Sequence, residues 1–310
     1  MFERRATHII SSYYAPRGHK RMYALGMELA QLYLSPSDKL IGIIGEAGSG
    51  KSALIKGMFP GLELTNDDNG VYIRPLPILD LDRSFSFFSP HTYHLDIRFE
   101  NGFTQMSVLA EAIADALDKG KRVVVEHFDL IYPMLKSNAN LLIGVGEQVI
   151  VSRPNIFGPE PEDIRQNVYS SLPYRLMAHT AEDLCEFCMD PELVELAGHD
   201  DVRHGFCMYF DNHPEINLIE LEEKVNDLIA QDLPIAYVDE NHIRIGDKLQ
   251  KCNGPRIHVP STGKIENLQI LYHFIHDPFK RRYVMAGCVG ENAEELLTTL
   301  DNSRQRPGWA

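Results

Sequence analysis

No stretch of the 310-residue chain approaches the roughly 20 consecutive apolar residues that a membrane-crossing helix needs. The first residues, which include Arg4, Arg5, Arg17 and Lys20, also lack the apolar run of a secretory signal. The expectation is a soluble, cytoplasmic protein with no membrane partner. Cysteine is sparse and odd in number: Cys185, Cys188, Cys207, Cys252 and Cys288 lack the spacing of a disulfide framework, which predicts free thiols or metal ligands in a reducing compartment. Positive charge is in short supply as well, with 30 Lys and Arg against 44 Asp and Glu for a net charge of −14. The first 170 residues hold 17 basic and 20 acidic side chains; thirteen basic against twenty-four acidic residues after Ser170 leave −11 on the second part. So acidic a surface repels phosphodiester backbones and excludes nonspecific nucleic-acid binding. A specific tRNA contact would need a local patch, and Lys280-Arg281-Arg282 is the compact basic run available downstream. No internal repeat or low-complexity segment interrupts the chain.

What is present begins with Leu40-Ile41-Gly42-Ile43-Ile44, an apolar run of strand type, leading directly into Gly45-Glu46-Ala47-Gly48-Ser49-Gly50-Lys51-Ser52. The helix-compatible Ala53-Leu54-Ile55-Lys56 follows. Strand, G-x-x-x-x-G-K-S and helix in that order are the sequence form of a phosphate-binding P-loop. Glycines allow the backbone to wrap an anion with its N–H groups, and the helix that follows directs its positive end at the same place. Gly45, Ala47, Gly48, Ser49, Gly50, Lys51 and Ser52 are therefore the expected nucleotide-binding residues. Lys51 would reach the outer phosphates of ATP or GTP and Ser52 would hold Mg2+. The alternative is a glycine-rich turn without a ligand.

Length suggests two domains, and 44% hydrophobic composition suffices for two ordinary cores. Met22, Leu25, Leu29 and Leu32 predict a helix ahead of the P-loop strand, ended by Ser35-Pro36-Ser37-Asp38. Val71 to Leu79 predicts a strand, shortened or placed near an edge by Pro75 and Pro77. It empties into Asp80-Leu81-Asp82-Arg83, and ligands of open α/β sheets bind beyond the carboxyl ends of strands. Asp80 or Asp82 is thus a candidate base or positioning group for an acceptor hydroxyl, against a solvated acidic turn. His91, His94 and Asp96 are candidates for lining a pocket or for ordinary loop and strand positions. Met106 to Leu117 predicts a helix. Arg122-Val123-Val124-Val125-Glu126 then predicts a buried strand ending in a carboxylate, with Asp129 close behind. Glu126 is the expected metal-supporting or catalytic carboxylate, provided a parallel sheet sets its strand beside the P-loop strand. Leu141 to Val145 and Val149 to Val151 supply further strands, and Arg153 and Arg165 flank a Pro-rich stretch, either as a phosphate-closing lid or as surface arginines of a linker.

From Arg175 the character changes. His179-Thr180-Ala181-Glu182-Asp183-Leu184, Arg203 to Phe210, the amphipathic Glu220 to Ile229, Cys252-Asn253-Gly254-Pro255-Arg256-Ile257-His258, and Arg281 to Gly290 with a helix from Ala293 follow one another. In that order they resemble the editing, or second additional, domain shared by alanyl- and threonyl-tRNA synthetases. The resemblance covers roughly residues 175 to 300. It implies an α+β fold with a metal-binding cleft, in which paired histidines and a cysteine–histidine pair hold zinc, and it implies tRNA or an aminoacyl group as a partner. Two departures mark this chain: Asp183 stands where the family has its second histidine, and His258 follows Cys252 two residues later than the family's spacing. His179, Asp183, Cys252 and His258 are then the Zn2+ candidates, since a carboxylate also ligates zinc. Cys185-Glu186-Phe187-Cys188, without a second pair, reads as buried cysteine at least as readily as metal or redox chemistry.

The expected architecture is thus a P-loop, doubly wound, mainly parallel α/β domain over residues 1–170, followed over 171–310 by an α+β domain like the synthetase editing module. The brevity of the first domain, and the carboxylates after its second and third candidate strands, resemble small-molecule kinases such as the uridine kinase family. That resemblance implies phosphoryl transfer from a Mg2+-nucleotide to a small hydroxylated acceptor, with Lys51 and Glu126 at the reacting phosphate. The alternatives are a zinc-dependent aminoacyl-tRNA deacylase gated by the P-loop domain, and a regulatory NTPase whose second domain senses an amino acid or a partner.

Overall fold

A computed structural model describes residues 10–65, 76–80 and 91–304. The chain forms two compact units: one takes the residues up to Ala15 and His19–Ser170, the other takes Pro16–Gly18 and the residues from Ser171. Among the described residues no helix is long and apolar enough to cross a membrane.

In the first unit the elements run β1 (Ile10–Tyr14), α1 (His19–Tyr33), β2 (Leu40–Gly45), α2 (Lys51–Met58), β3 (Thr92–Asp96), α3 (Ile97–Glu100), α4 (Met106–Asp118), β4 (Arg122–Glu126), α5 (Phe128–Leu135), β5 (Leu141–Val145), β6 (Gln148–Ser152) and the start of α6 (Pro161–Cys188). They build one six-stranded sheet in the order β1-β6-β5-β2-β4-β3. The apolar run of β2 is continuous because both of its faces are buried. Leu40 and Ile44 point into a core shared with Leu109 and Ile113 of α4, Phe128 and Ile131 of α5 and Ile164 and Val168 of α6. Ile41 and Ile43 point the other way, against Met22 and Leu29 of α1 and Leu54 and Met58 of α2. Burial of this kind stabilises by about 1.5–3 kcal/mol per large aliphatic side chain, which commits β2 to the middle of the sheet.

The sheet is mixed, parallel at its centre and at the β3 edge and antiparallel at the β1 edge. Parallel ladders join β3 to β4, β4 to β2 and β2 to β5, but β6 runs antiparallel to β5 and β1 antiparallel to β6. Only Gly146 and Glu147 separate β5 from β6, and a connection that short reverses the chain instead of crossing over. The end of the strand expected over Val71 to Leu79 is also corrected. Its first residues lie outside those described, and Pro77–Asp80 forms a short 3-10 helix whose Ile78, with the preceding Leu76, enters the core beside α4. Proline lacks the N–H that a ladder uses but fits the first position of a helical turn.

The second unit contains the remainder of α6, then α7 (Pro191–Leu196), β7 (Gly198–Val202), β8 (Gly205–Phe210), α8 (Leu218–Ala230), β9 (Ile235–Asp239), β10 (His242–Ile245), β11 (Lys248–Lys251), β12 (Gln269–Ile270), β13 (Ile275–Asp277), β14 (Arg282–Cys288) and α9 (Ala293–Arg304). β12, β14, β8 and β7 pair in that order, β13 joins the same sheet through β14, and β11-β10-β9 form a second sheet. Every ladder in both is antiparallel. Phe206, Met208 and Phe210 alternate along β8 into a core with Ala181 and Leu184 of α6, Leu221 and Val225 of α8 and Met285 of β14. Asn217 caps α8, its side chain accepting the Glu220 N–H at 3.3 Å. The chain is thus a mixed α/β protein with one mixed sheet and additional antiparallel sheets.

Candidate functional sites

The loop from Gly45 to Gly50 leaves the carboxyl end of β2 and enters α2 at Lys51. Gly48 at φ 77° and Gly50 at φ 99° turn the chain through left-handed conformations that a residue with a Cβ resists. Lys51 is buried, and its ammonium donates to the Glu46 carbonyl at 2.9 Å. The same ammonium lies 3.7 Å from Glu126 Oε2. Glu126 closes β4, which pairs in parallel with β2 so that Ile43 stands opposite Glu126. The local motif and a carboxylate some seventy-five positions away in the sequence therefore meet through one strand pairing.

Glu126 is fixed on its other side by His94 of β3. His94 Nδ1 accepts the Thr65 backbone N–H at 3.1 Å, which assigns the ring proton to Nε2, and Nε2 lies 3.0 Å from Glu126 Oε1. Burial by itself pushes the Glu126 carboxyl up, but the His94 hydrogen bond and the neighbouring positive charge of Lys51 hold it below its ordinary value. His127, next in the chain, sits at φ 56° and ψ 45°, and its Nδ1 has no hydrogen-bond partner among the described residues. Burial, and then the charges of Lys51 and Arg98, depress its pKa to about 4, so this imidazole is neutral at pH 7. Asp129, in the first turn of α5, has its carboxyl raised by burial.

The other candidates divide. Asp96 stands opposite Glu126 at the end of β3 and caps α3, accepting the Phe99 N–H at 3.1 Å, whereas His91 precedes β3 at the end remote from the glycine loop. Asp80 ends the 3-10 helix rather than a strand, and Asp82 lies outside the described residues. Arg153 is not a lid residue: its guanidinium takes both oxygens of buried Asp38, at 2.7 and 2.8 Å, at the opposite end of β2 from the glycine loop. Arg165 pairs with Glu162 one turn earlier on α6, as an exposed surface pair. Sequence reasoning passed over Arg98 on α3, which donates to Glu46 Oε1 at 2.6 Å and to the Tyr169 hydroxyl at 3.3 Å. Ala47 N–H donates to that same Glu46 oxygen at 3.1 Å. Nothing in the local pattern around Arg98 could have announced this pair.

In the second unit His179 and Asp183 share one face of α6, a turn apart, while Cys252 and His258 come from the chain after β11. Donor atoms from all four lie within 4.8 Å of one another. Cys252 Sγ is 3.7 Å from Nε2 of both His179 and His258, and His258 Nε2 is 2.9 Å from Asp183 Oδ2. Zinc bonds of about 2.0–2.3 Å at tetrahedral angles set donor separations of about 3.3–3.8 Å, which the sulfur–nitrogen distances match, whereas the 2.9 Å between His258 and Asp183 is a hydrogen-bond distance, and His179 Nε2 lies 3.1 Å from the Gly254 carbonyl. The Gly254 N–H donates to Cys252 Sγ at 3.2 Å, a bond suited to a thiolate. Burial and Asp183 otherwise push the Cys252 thiol far up. The long spacing between Cys252 and His258 is absorbed by a turn in which Ile257 N–H returns to the Gly254 carbonyl at 3.0 Å. Thr180 on α6 then accepts the Val259 N–H at 3.1 Å, pinning the loop beside its two helical partners. Arg17, in the Pro16–Gly18 segment, pairs with Asp183 and Glu182.

Glu182, Glu186 and His199 form an adjacent acidic group, with His199 Nδ1 2.8 Å from Glu182 and 3.7 Å from Glu186. Burial, with Asp183 nearby, raises the Glu186 pKa to about 7. Cys185 is fully buried and its thiol is pushed well up by burial, as expected of a packed rather than reactive cysteine. Of the basic run, Lys280 lies over the Tyr209 ring and Arg282 pairs with Asp211. Compared with known families and with curated proteins, the chain matches no family and no curated protein.

Proposed function

We propose that the first unit binds a Mg2+-nucleoside triphosphate and transfers its outer phosphoryl group to a small hydroxylated acceptor. The observation that carries this reading is the approach of Lys51 to Glu126 at 3.7 Å, directly behind a glycine loop that opens onto the start of α2. A buried cation beside an anion-wrapping loop is suited to outer phosphates, and a carboxylate held ionised next to it is suited to a hydrated Mg2+. Ser52 and Glu126 would hold that ion, which supplies neutralisation of charge on the phosphates. His94 keeps one Glu126 oxygen fixed, so the other is presented in a single orientation. Phosphoryl transfer of this kind depends on positioning and electrostatics more than on covalent participation by the protein. In the transfer the acceptor oxygen forms a bond to the outer phosphorus, the bridging oxygen–phosphorus bond breaks, the diphosphate leaves, and the hydroxyl proton passes to solvent.

The four converging donors support a zinc centre in the second unit, and they bear on the choice between a deacylase and a sensing or supporting module. Bound together, His179, Asp183, Cys252 and His258 would complete a four-coordinate shell and leave no open position for water, the arrangement of a structural rather than a catalytic zinc. This favours a zinc that stabilises the unit over one that hydrolyses an aminoacyl ester.

The test is a turnover screen of the full chain with Mg2+-ATP and Mg2+-GTP over nucleosides, amino acids and charged tRNAs, reading phosphate transfer and deacylation together. Phosphate transfer abolished by Lys51→Ala is the expected result. Deacylation without nucleotide consumption would overturn the reading, and nucleotide binding with no turnover of either kind would replace it with the regulatory NTPase.

A further inference from the structure

We propose that Arg98 is a ligand of the nucleotide's outermost phosphate and that the P-loop's own Glu46 holds its place until that phosphate arrives. The inference rests on the nucleotide reading above and deepens it. Glu46 is the second residue of the G-x-x-x-x-G-K-S run, and its side chain folds back on its own loop. One carboxylate oxygen, Oε1, accepts from a loop amide, Ala47 N–H at 3.1 Å, and from the Arg98 guanidinium at 2.6 Å. An anionic oxygen held between a P-loop N–H and a guanidinium reproduces the surroundings of a bound phosphate oxygen. The loop thus carries an internal anion where an external one is expected.

The exchange is favourable on electrostatic grounds. The side chains of Arg98 and Glu46 are 45% and 37% exposed, and an ion pair that open to water is weak. A planar guanidinium meeting a phosphate forms two parallel charge-assisted bonds to a group of higher charge, which makes the phosphate the better partner. Arg98 is also presented rather than free to wander, because it projects from the short helix capped by Asp96 and its second nitrogen donates to the Tyr169 hydroxyl at 3.3 Å. The hydrogen bond from Arg98 lowers the Glu46 pKa to about 2, so the carboxylate competes as an anion at every pH at which nucleotide binds. Once displaced, Glu46 remains as a negative charge near the phosphates, and its removal should therefore tighten binding.

Calorimetric titration of the full chain with Mg2+-ATP and Mg2+-ADP, repeated with the guanine nucleotides, separates the possibilities. Arg98→Ala should weaken triphosphate binding about tenfold or more, the loss of a hydrogen bond to a charged group, while changing diphosphate affinity little. Arg98→Lys should recover only part of this, because it keeps the charge and loses the fork. Glu46→Gln should tighten triphosphate binding a few-fold. Equal weakening of triphosphate and diphosphate by Arg98→Ala, no effect of it on either, or weaker triphosphate binding by Glu46→Gln would overturn the proposal. Lys51→Ala, by contrast, should weaken both nucleotides. If the unaltered protein binds neither, the P-loop reading itself fails and this inference falls with it.

Discussion

Replacing Lys51 by Met asks one buried charge to reveal its two roles. Lys51 Nζ is 3.7 Å from Glu126 Oε2, and the two side chains are only 6% and 4% exposed. Removing one partner of a buried pair costs about 3–5 kcal/mol, because the other charge is left without compensation. Here His94 still donates to Glu126 at 3.0 Å, so roughly half of that cost, about 1.5–3 kcal/mol, is expected, or a fall of about 3–12 °C in the unfolding midpoint of a unit this size. Adding Glu126→Gln to Lys51→Met removes the stranded charge and should return most of the lost stability, but none of the nucleotide affinity. The pH dependence follows from the direction of the Glu126 shift. Its native pKa is below the ordinary value, so its contribution is fully present above about pH 4.3 and is lost as pH falls through the lower native value. Lys51→Met removes one of the charges that hold it down, so acid destabilisation should set in at higher pH. Thermal and urea unfolding at pH 7 and pH 4, with a Mg2+-ATP titration on each variant, make the measurement. A Lys51→Met protein as stable as the parent, or a double variant no more stable than Lys51→Met, would refute the electrostatic reasoning.

Two further outcomes are expected. Zn2+ added to chelator-treated protein should stabilise the second unit by about 2.7 kcal/mol at one hundred times its dissociation constant, and Asp183→Asn or Cys252→Ser should abolish the gain; metal content measured directly gives an independent readout. Arg153→Ala should destabilise the first unit by about 2–4 kcal/mol, because Asp38 is left buried with its bidentate partner removed, while nucleotide affinity stays unchanged. An effect of Arg153→Ala on affinity alone would restore its role as a lid.

How far the residues could be read in advance differs with the range of the interaction involved. The β2 run, the glycine loop and α2 were legible because strand burial, left-handed turns and helix initiation depend on neighbours within a few positions. Arg122–Glu126 and Leu141–Val145 were legible for the same reason, as short β-branched or aliphatic runs. The end of the expected Val71 to Leu79 strand misled: among its described residues Pro77–Asp80 forms a 3-10 turn, and Leu76 and Ile78, two positions apart as strand neighbours on one face would be, are buried there instead. The spacing of Cys252 and His258 departs from the family's by two residues; only the returning turn at Gly254 and Ile257 shows how they are accommodated.

The sequence by itself determined that a glycine-rich loop would follow a buried strand, that an ionisable residue would end another, and that nitrogen, sulfur and oxygen donors would lie in the second half. It did so through local periodicity and residue chemistry. Only the tertiary structure decided that β4 pairs beside β2, which brings Glu126 to Lys51, and that His94 locks the far side of that carboxylate. It also decided that Arg153 belongs to Asp38, that Arg98 belongs to Glu46, and that β6 turns back on β5. Each of these depends on which strand or helix becomes a neighbour. That choice is made by the burial of whole faces across the unit, and no window along the chain contains it.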